Sequence, residues 1–290
     1  MAGQSVTTPG TPDARPPANL VQLKADINAL IASSGAEVAV AWRPLDAKPG
    51  EEILINPTLR FHAASTMKVP VMIELFRQAN VRLLKLDDKV VVTNQFTSIQ
   101  DGSPFVLAVT DDSDGEMYKA LGTKLSYRQL VEASITVSSN LATNILIERL
   151  RARNVQATVD TMGASGMQVL RGVEDQKAFE AGKNNSTDAL GLLTLFEAIG
   201  KGRAVSAKAS AEMVEILKRQ RFTDRIPAGL PAGSVVAHKT GNVTGINHDA
   251  GIVYAARPYV LVVLTRGIKD SKVSAKLIAD ITSLTARATN

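Results

Sequence analysis

Residues 234–265 read SVVAHKTGNVTGINHDAGIVYAARPYVLVVLT. Three runs within them, Ser234 to Lys239, Ala250 to Ala256 and Tyr259 to Thr265, are apolar and rich in β-branched residues, and glycines and an Arg-Pro break separate them. Short apolar runs between turn residues predict neighbouring strands. Downstream, Ser271 to about Ala286 has helical periodicity. At the far end of the chain, Ala36 to Trp42 (AEVAVAW) and Glu52 to Ile55 (EILI) flank Pro44 and the Pro49-Gly50 turn, which predicts an antiparallel strand pair. Before them Leu20, Leu23, Ile27, Leu30 and Ile31 form a helical stripe. Between the two ends, Thr66 to about Leu217 is helical in period, with helices expected near 66–79, 126–133, 139–151, 155–162, 187–200 and 207–218. The expected fold is α/β of the α+β type: a five-stranded antiparallel sheet built from both chain ends, with flanking helices, plus an all-helical lobe. Residues 1–19 read as a flexible leader, 20–65 with 219–290 as a discontinuous α/β lobe, and 66–218 as the helical lobe. A ligand cleft is expected where the lobes meet.

Composition narrows the chemistry. With 45% apolar and 21% charged residues, the chain buries a sizeable core, which excludes disordered and fibrous classes. Zero cysteine removes disulfides, thiolate metal sites and cysteine nucleophiles together. The net charge of +5 is small for 290 residues and its lysines and arginines are scattered, so neither nucleic acid nor an anionic membrane is an expected partner. No apolar run approaches the ~18 residues of a membrane span. Met1 to Asn19 holds no apolar signal-peptide segment, as in a mature form whose export signal lies upstream.

Three short motifs stand at the expected lobe boundaries. Ser65-Thr66-Met67-Lys68 opens a helix, where positions i and i+3 share a face, so the Lys68 amine can reach the Ser65 hydroxyl. A serine needs a base to become a nucleophile, and a lysine kept neutral by burial is one. Pro70 is tolerable there because it falls in the first turn. Ser138-Ser139-Asn140 is a polar cluster ahead of an apolar helix, and read alone is a capping segment. Lys239-Thr240-Gly241 offers a cation, a hydroxyl and a residue without side chain, a setting for a ligand carboxylate beside a strand edge.

In this order and at these spacings the three motifs resemble those of the class A β-lactamases and penicillin-recognising serine hydrolases, a likeness that covers about Leu20 to Ala288. The resemblance implies the serine β-lactamase/D,D-peptidase fold and an acyl-enzyme on Ser65, with Lys68 as its base and Ser138 as proton shuttle. It implies further that Asn140 holds the substrate's amide, that Lys239 and Thr240 bind its carboxylate beside Gly241, and that the backbone N–H groups of Ser65 and Asn242 form the oxyanion hole. Phe105 resembles an aromatic gate usually filled by tyrosine. Glu174 resembles the base that activates the deacylating water, with Asp175 the near alternative. The sequence departs from the family at three places. Ser139 stands where an aspartate is usual, Ala178 where an asparagine helps hold that water, and Asn184-Asn185 where an acid pairs with an arginine near Arg171. The implied activity is β-lactam hydrolysis. The alternatives are a D,D-peptidase or peptide esterase that deacylates slowly, and a non-catalytic β-lactam-binding sensor.

The expected partner is therefore a small molecule, a β-lactam or a peptidoglycan-like peptide, and the expected protein is a periplasmic or secreted monomer with no cofactor and no metal. His62, His238 and His248 lack ligand spacing. His238 reads as a satisfied structural histidine, Asp111 to Glu116 as an exposed acidic turn, and Glu74, Arg77 and Lys85 as a solvated face.

Overall fold

The structure is a computed structural model and describes residues 18–287; most of the expected leader lies outside them. In chain order the elements are α1 (Ala18–Ser34), β1 (Glu37–Pro44), β2 (Ile53–Ile55), β3 (Phe61–His62), α2 (Lys68–Asn80), β4 (Lys89–Val91), β5 (Phe96–Thr97), β6 (Pro104–Phe105), α3 (Gly115–Lys119), β7 (Lys124–Ser126), α4 (Tyr127–Thr136), α5 (Asn140–Leu150), α6 (Ala152–Thr161), α7 (Gln176–Glu180), β8 (Ser186–Thr187), α8 (Ala189–Gly200), α9 (Ala207–Lys218), β9 (Val235–Val243), β10 (Ile246–Tyr254), β11 (Tyr259–Arg266) and α10 (Ser271–Arg287).

The sheet is antiparallel in the order β2-β1-β11-β10-β9, so both chain ends build it as expected. Along β11 the side chains alternate: Tyr259, Leu261 and Val263 enter one apolar core, Val260, Val262 and Leu264 the other. Strands covered on both faces lose the polar-apolar alternation, which is why this run reads as uniformly apolar. The first core joins the sheet to α1 and α10 through Leu23, Ile27, Ile278 and Ile281, with the Trp42 and Tyr259 rings tilted against each other at 5.9 Å. The second extends from Ala39, Ala41 and Leu264 into α2, α4, α5, α8 and α9. Small residues at 39 and 41 let α8 lie close on β1.

The middle of the chain is not purely helical. Three ribbons of two or three residues per strand, β3 with β8, β4 with β7 and β5 with β6, tie its loops together, and strands so short leave no period of two to detect. Glu74 is not on a solvated face either. It is fully buried and accepts from Arg77, from Gln78 Nε2 at 2.7 Å and from Thr158 Oγ1 at 2.6 Å, which bridges α2 to α6. Among the described residues no helix is long and apolar enough to cross a membrane.

Candidate active site

Two adjoining cavities of about 710 and 290 Å³ form one cleft, and Ser65, Asp111, Asn140 and Asn242 line both. Ser65 sits in a 3-10 turn, Ala64–Met67, that runs straight into α2. Beneath it Lys68 and Lys239 are fully buried. Ser138 lies between them: its Oγ accepts from Lys68 Nζ at 3.1 Å and from Lys239 Nζ at 3.0 Å. Lys68 donates also to Ser138 O at 2.6 Å and to Asn140 Oδ1 at 2.8 Å. Its three donors are thus turned toward the second motif, and the expected bond to Ser65 Oγ is not among them. An ammonium has three hydrogens to place and no lone pair, so only the neutral amine has anything to offer the Ser65 proton.

Burial lowers Lys68 to about 7, against the opposing pull of Asp112 and Glu174. Burial first, then the Lys68 charge, holds Lys239 well below the usual lysine range. Two lysines side by side without a buried acid between them thus avoid carrying two charges at once.

β9 runs on through Val243, so the third motif lies within the edge strand rather than after it. A Cβ on Gly241 would stand 3.1 Å from Thr66 and 3.2 Å from Ala64. The glycine's part is to let the strand close on the serine turn. Ala64, Ser138 and Glu174 are three of six non-glycine residues with positive φ among those described, so half of this backbone strain collects at the cleft.

Glu174 stands on a loop pinned at several points. Asn144, inside α5, accepts from Val173 N at 2.7 Å and donates to Val173 O at 2.9 Å. Arg171 donates to Lys183 O and to Asn184 Oδ1, both near 2.9 Å, so an amide takes the place of the acid the family uses. The Asp175 carboxylate, the near alternative, is engaged elsewhere: it caps α7 at Ala178 N and accepts from Ser98 Oγ and Ile99 N. Ala178 is buried. Asn140 Nδ2 lies 3.4 Å from Glu174 Oε1. Burial raises the Glu174 carboxyl, the Asp111 charge raises it further, and Lys68 and Arg171 oppose both.

Two expectations change. Phe105 is not in the cleft; it pairs with Phe96 at 5.8 Å in the β5–β6 ribbon and lines a separate cavity behind the Glu174 loop. Exposed Asp111 occupies the cleft mouth instead. Nor is Asp111 to Glu116 only a solvated turn. The Asp112 carboxylate accepts from Asn140 N and Leu141 N, both at 2.9 Å, and so caps α5 with the charge that Ser139 does not supply. Ser139 itself caps Ala142 N at 3.3 Å. His238 is satisfied by Asp249 at 2.9 Å, as its reading predicted. The capping role of Asp112 was hidden in the Asp111 to Glu116 turn, and two residues escaped the sequence reading: Asn144 and Arg225, a buried guanidinium that lines the smaller cavity beside Ser138 and Thr240. A buried asparagine inside the apolar run of α5 was the one available signal among them.

A family model described as the beta-lactamase enzyme family matches residues 22–289 of the chain. The chain belongs to that family. As a member it is an enzyme, a serine hydrolase of the class A β-lactamase type. It is 25% identical over 270 residues to the extended-spectrum beta-lactamase PER-1 of Pseudomonas aeruginosa, across 88% of this chain and 82% of the relative. A beta-lactamase from Chitinophaga pinensis superposes with a TM-score of 0.80 at 25% identity, over 93% of this chain and all of its own. The structure of PBP-A matches with a TM-score of 0.78 at 23% identity, covering 94% and 97% of the two chains, which is a likeness of fold. The β-lactamase fold thus accounts for the sheet, the helical elements and the cleft together.

Proposed function

We propose that the enzyme opens β-lactam rings through an acyl-enzyme on Ser65, which water activated by Glu174 then hydrolyses. The observation that carries this reading is the Lys68–Ser138–Lys239 chain, with Lys68 tuned to about 7 at the base of a helix-start serine. Neutral Lys68 takes the Ser65 proton as Oγ bonds to the lactam carbonyl. The backbone N–H groups of Ser65 and Asn242 hold the oxyanion. Collapse breaks the C–N bond, Ser138 gives its proton to the leaving nitrogen, and the Lys68 proton replaces it. Asn140 holds the acyl amide. Thr240, beside Gly241, takes the substrate carboxylate with Arg225 and Lys239 near. In the second half Glu174 removes a proton from water, the oxygen attacks the ester carbonyl, and Ser65 leaves with its proton restored.

Buried Ala178 favours a second reading, since it gives that water no amide: a penicillin-binding D,D-peptidase, peptide esterase or sensor that acylates and then stalls. Intact-protein mass followed after mixing with excess benzylpenicillin separates the two. An adduct on Ser65 that appears and clears as drug is consumed supports hydrolysis; one that persists supports the second reading; no adduct in the parent overturns both. Ser65→Ala then forms no adduct. Glu174→Gln acylates but keeps its adduct, with deacylation slowed on the order of 10²–10⁴-fold; unchanged turnover removes Glu174 from the role. We infer also a monomer working in the periplasm or outside the cell, and two lobes, 20–65 with 219–290 and 66–218, meeting at the cleft.

A further inference from the structure

A cavity of about 420 Å³ lies behind the loop that carries Glu174, walled by Phe96 and Phe105, by Ile147, Arg151 and Arg153 from the α5–α6 junction, and by Leu170 to Gly172. None of Ser65, Ser138, Glu174 or Thr240 lines it, while Arg171 and Asp175 line both it and the cleft. The two spaces share one wall. Its lining combines apolar and cationic side chains. Phe96 is buried and Phe105 half-buried, their rings tilted at 5.8 Å, and Ile147 lines the same space. Such a pair receives a third ring at its open edge.

The same lining includes Arg151 and Arg153, both exposed. Arg43, Arg77, Arg128, Arg219, Arg225, Arg257 and Arg266 each make an ion pair. Arg151 and Arg153 make no side-chain hydrogen bond or ion pair among the described residues. Three guanidiniums and two carboxylates line the space, and Arg171 and Asp175 are already committed to the loop's own hydrogen bonds. That leaves two free cations against Glu148. Arg151 also has a φ of +69°, at the break between α5 and α6, a strained backbone of the kind that collects at ligand sites.

We propose that this cavity is a second ligand site, distinct from the cleft, which takes a small aromatic anion, its ring against Phe105 and its carboxylate or sulfonate on Arg151 and Arg153. A planar acid suits the fork of a guanidinium. Occupancy is expected to be felt at the loop, because Gly172, which lines the cavity, packs closely on Asn144. A Cβ there would stand 2.4 Å from Asn144 Oδ1, the atom that holds Val173.

The probe is 4-(trifluoromethyl)benzoate, followed by fluorine NMR on the full chain, with the uncharged 4-(trifluoromethyl)benzamide beside it. A fragment of that size is expected to bind with a Kd of about a millimolar, and the benzamide at least about tenfold more weakly if the guanidiniums carry the contact. The double variant R151E/R153E changes exposed positions only and, with its thermal midpoint retained, is expected to lose benzoate binding about tenfold or more. Thr240→Val, in the cleft, is expected to leave it unchanged. Benzoate bound equally well by R151E/R153E, benzoate lost in Thr240→Val, equal affinity of the two probes, or no binding up to about ten times that Kd each overturns the proposal. Whether benzylpenicillin is hydrolysed does not enter any of these outcomes.

Discussion

Lys68 shows how one side chain carries both the chemistry and its cost. Its ordinary value of 10.5 falls to about 7 because the amine is fully buried. With Lys68 as the proposed base, acylation uses the neutral form, so its rate is expected to rise with pH through about 7, read as the rate of adduct formation on Ser65. Below about pH 7 folded and unfolded chains both carry the proton, and the folded state bears the full cost of burying it. Between about 7 and 10.5 only the unfolded chain binds it, so stability climbs with pH across that window. Lys68→Met is therefore expected to abolish acylation yet unfold at a higher temperature than the parent at pH 6, a gain on the order of 2–4 kcal/mol that shrinks toward pH 10. A lower midpoint at pH 6 would show that Lys68's three hydrogen bonds outweigh its buried charge. Glu174 has the opposite sign: burial and then Asp111 raise it. Asp111→Asn is expected to move the acid limb of deacylation to lower pH, and an unmoved limb would remove Glu174 from that limb. The three motifs that meet in the cleft were legible because, taken together, they resemble one family's set, and because i and i+3 on a helix put Lys68 beside Ser65. Asp111, Asp112 and Arg225 were not, since each acts on a partner that only the fold brings near. Phe105 was misplaced for the same reason: its aromatic character marks a cavity wall without saying which cavity.

At the scale of elements, the segment from Leu170 to Asn185 has little regular structure beyond the five residues of α7, and it keeps its shape by borrowing partners. Asn144 closes both hydrogen bonds of Val173 from inside α5, and Asn185 holds Leu170 N, Arg171 N and Arg171 O. Asn144→Ala leaves the part-buried N–H and C=O of Val173 without their partner at once, a cost of about 1–3 kcal/mol. Its expected signature is selective: faster amide exchange across 171–176 and slower deacylation, with adduct formation nearly unchanged, since Ser65 and Lys68 sit on the 3-10 turn and the start of α2 rather than on α5. Equal loss of both half-reactions would mean that α5 itself has shifted. The long helices and the sheet strands were readable from period and turn residues. The short ribbons and this loop were not, because two-residue strands carry no period and a loop's partners lie far away in sequence.

The whole molecule makes the two expected lobes depend on one another. Glu37 and Arg266 face each other across β1 and β11 although 229 positions apart, so the sheet is complete only when both chain ends are in place. One face of that sheet is the floor of the core that reaches into α2, α5 and α8, and the other is covered by α1 and α10. Loosening the outer core therefore removes support from the inner one. Ile281, fully buried on α10, tests this at a site remote from the cleft motifs. Ile281→Ala is expected to cost about 2–5 kcal/mol through lost contacts and the cavity left behind. The urea midpoint should fall with the slope unchanged, calorimetry should still show one transition, and the acylation rate of the folded fraction should stay at the parent value. Two resolved transitions, with the helical part surviving the loss of the sheet, would instead mean that residues 66–218 hold themselves together without the strands, and that the cleft lies between bodies able to move apart.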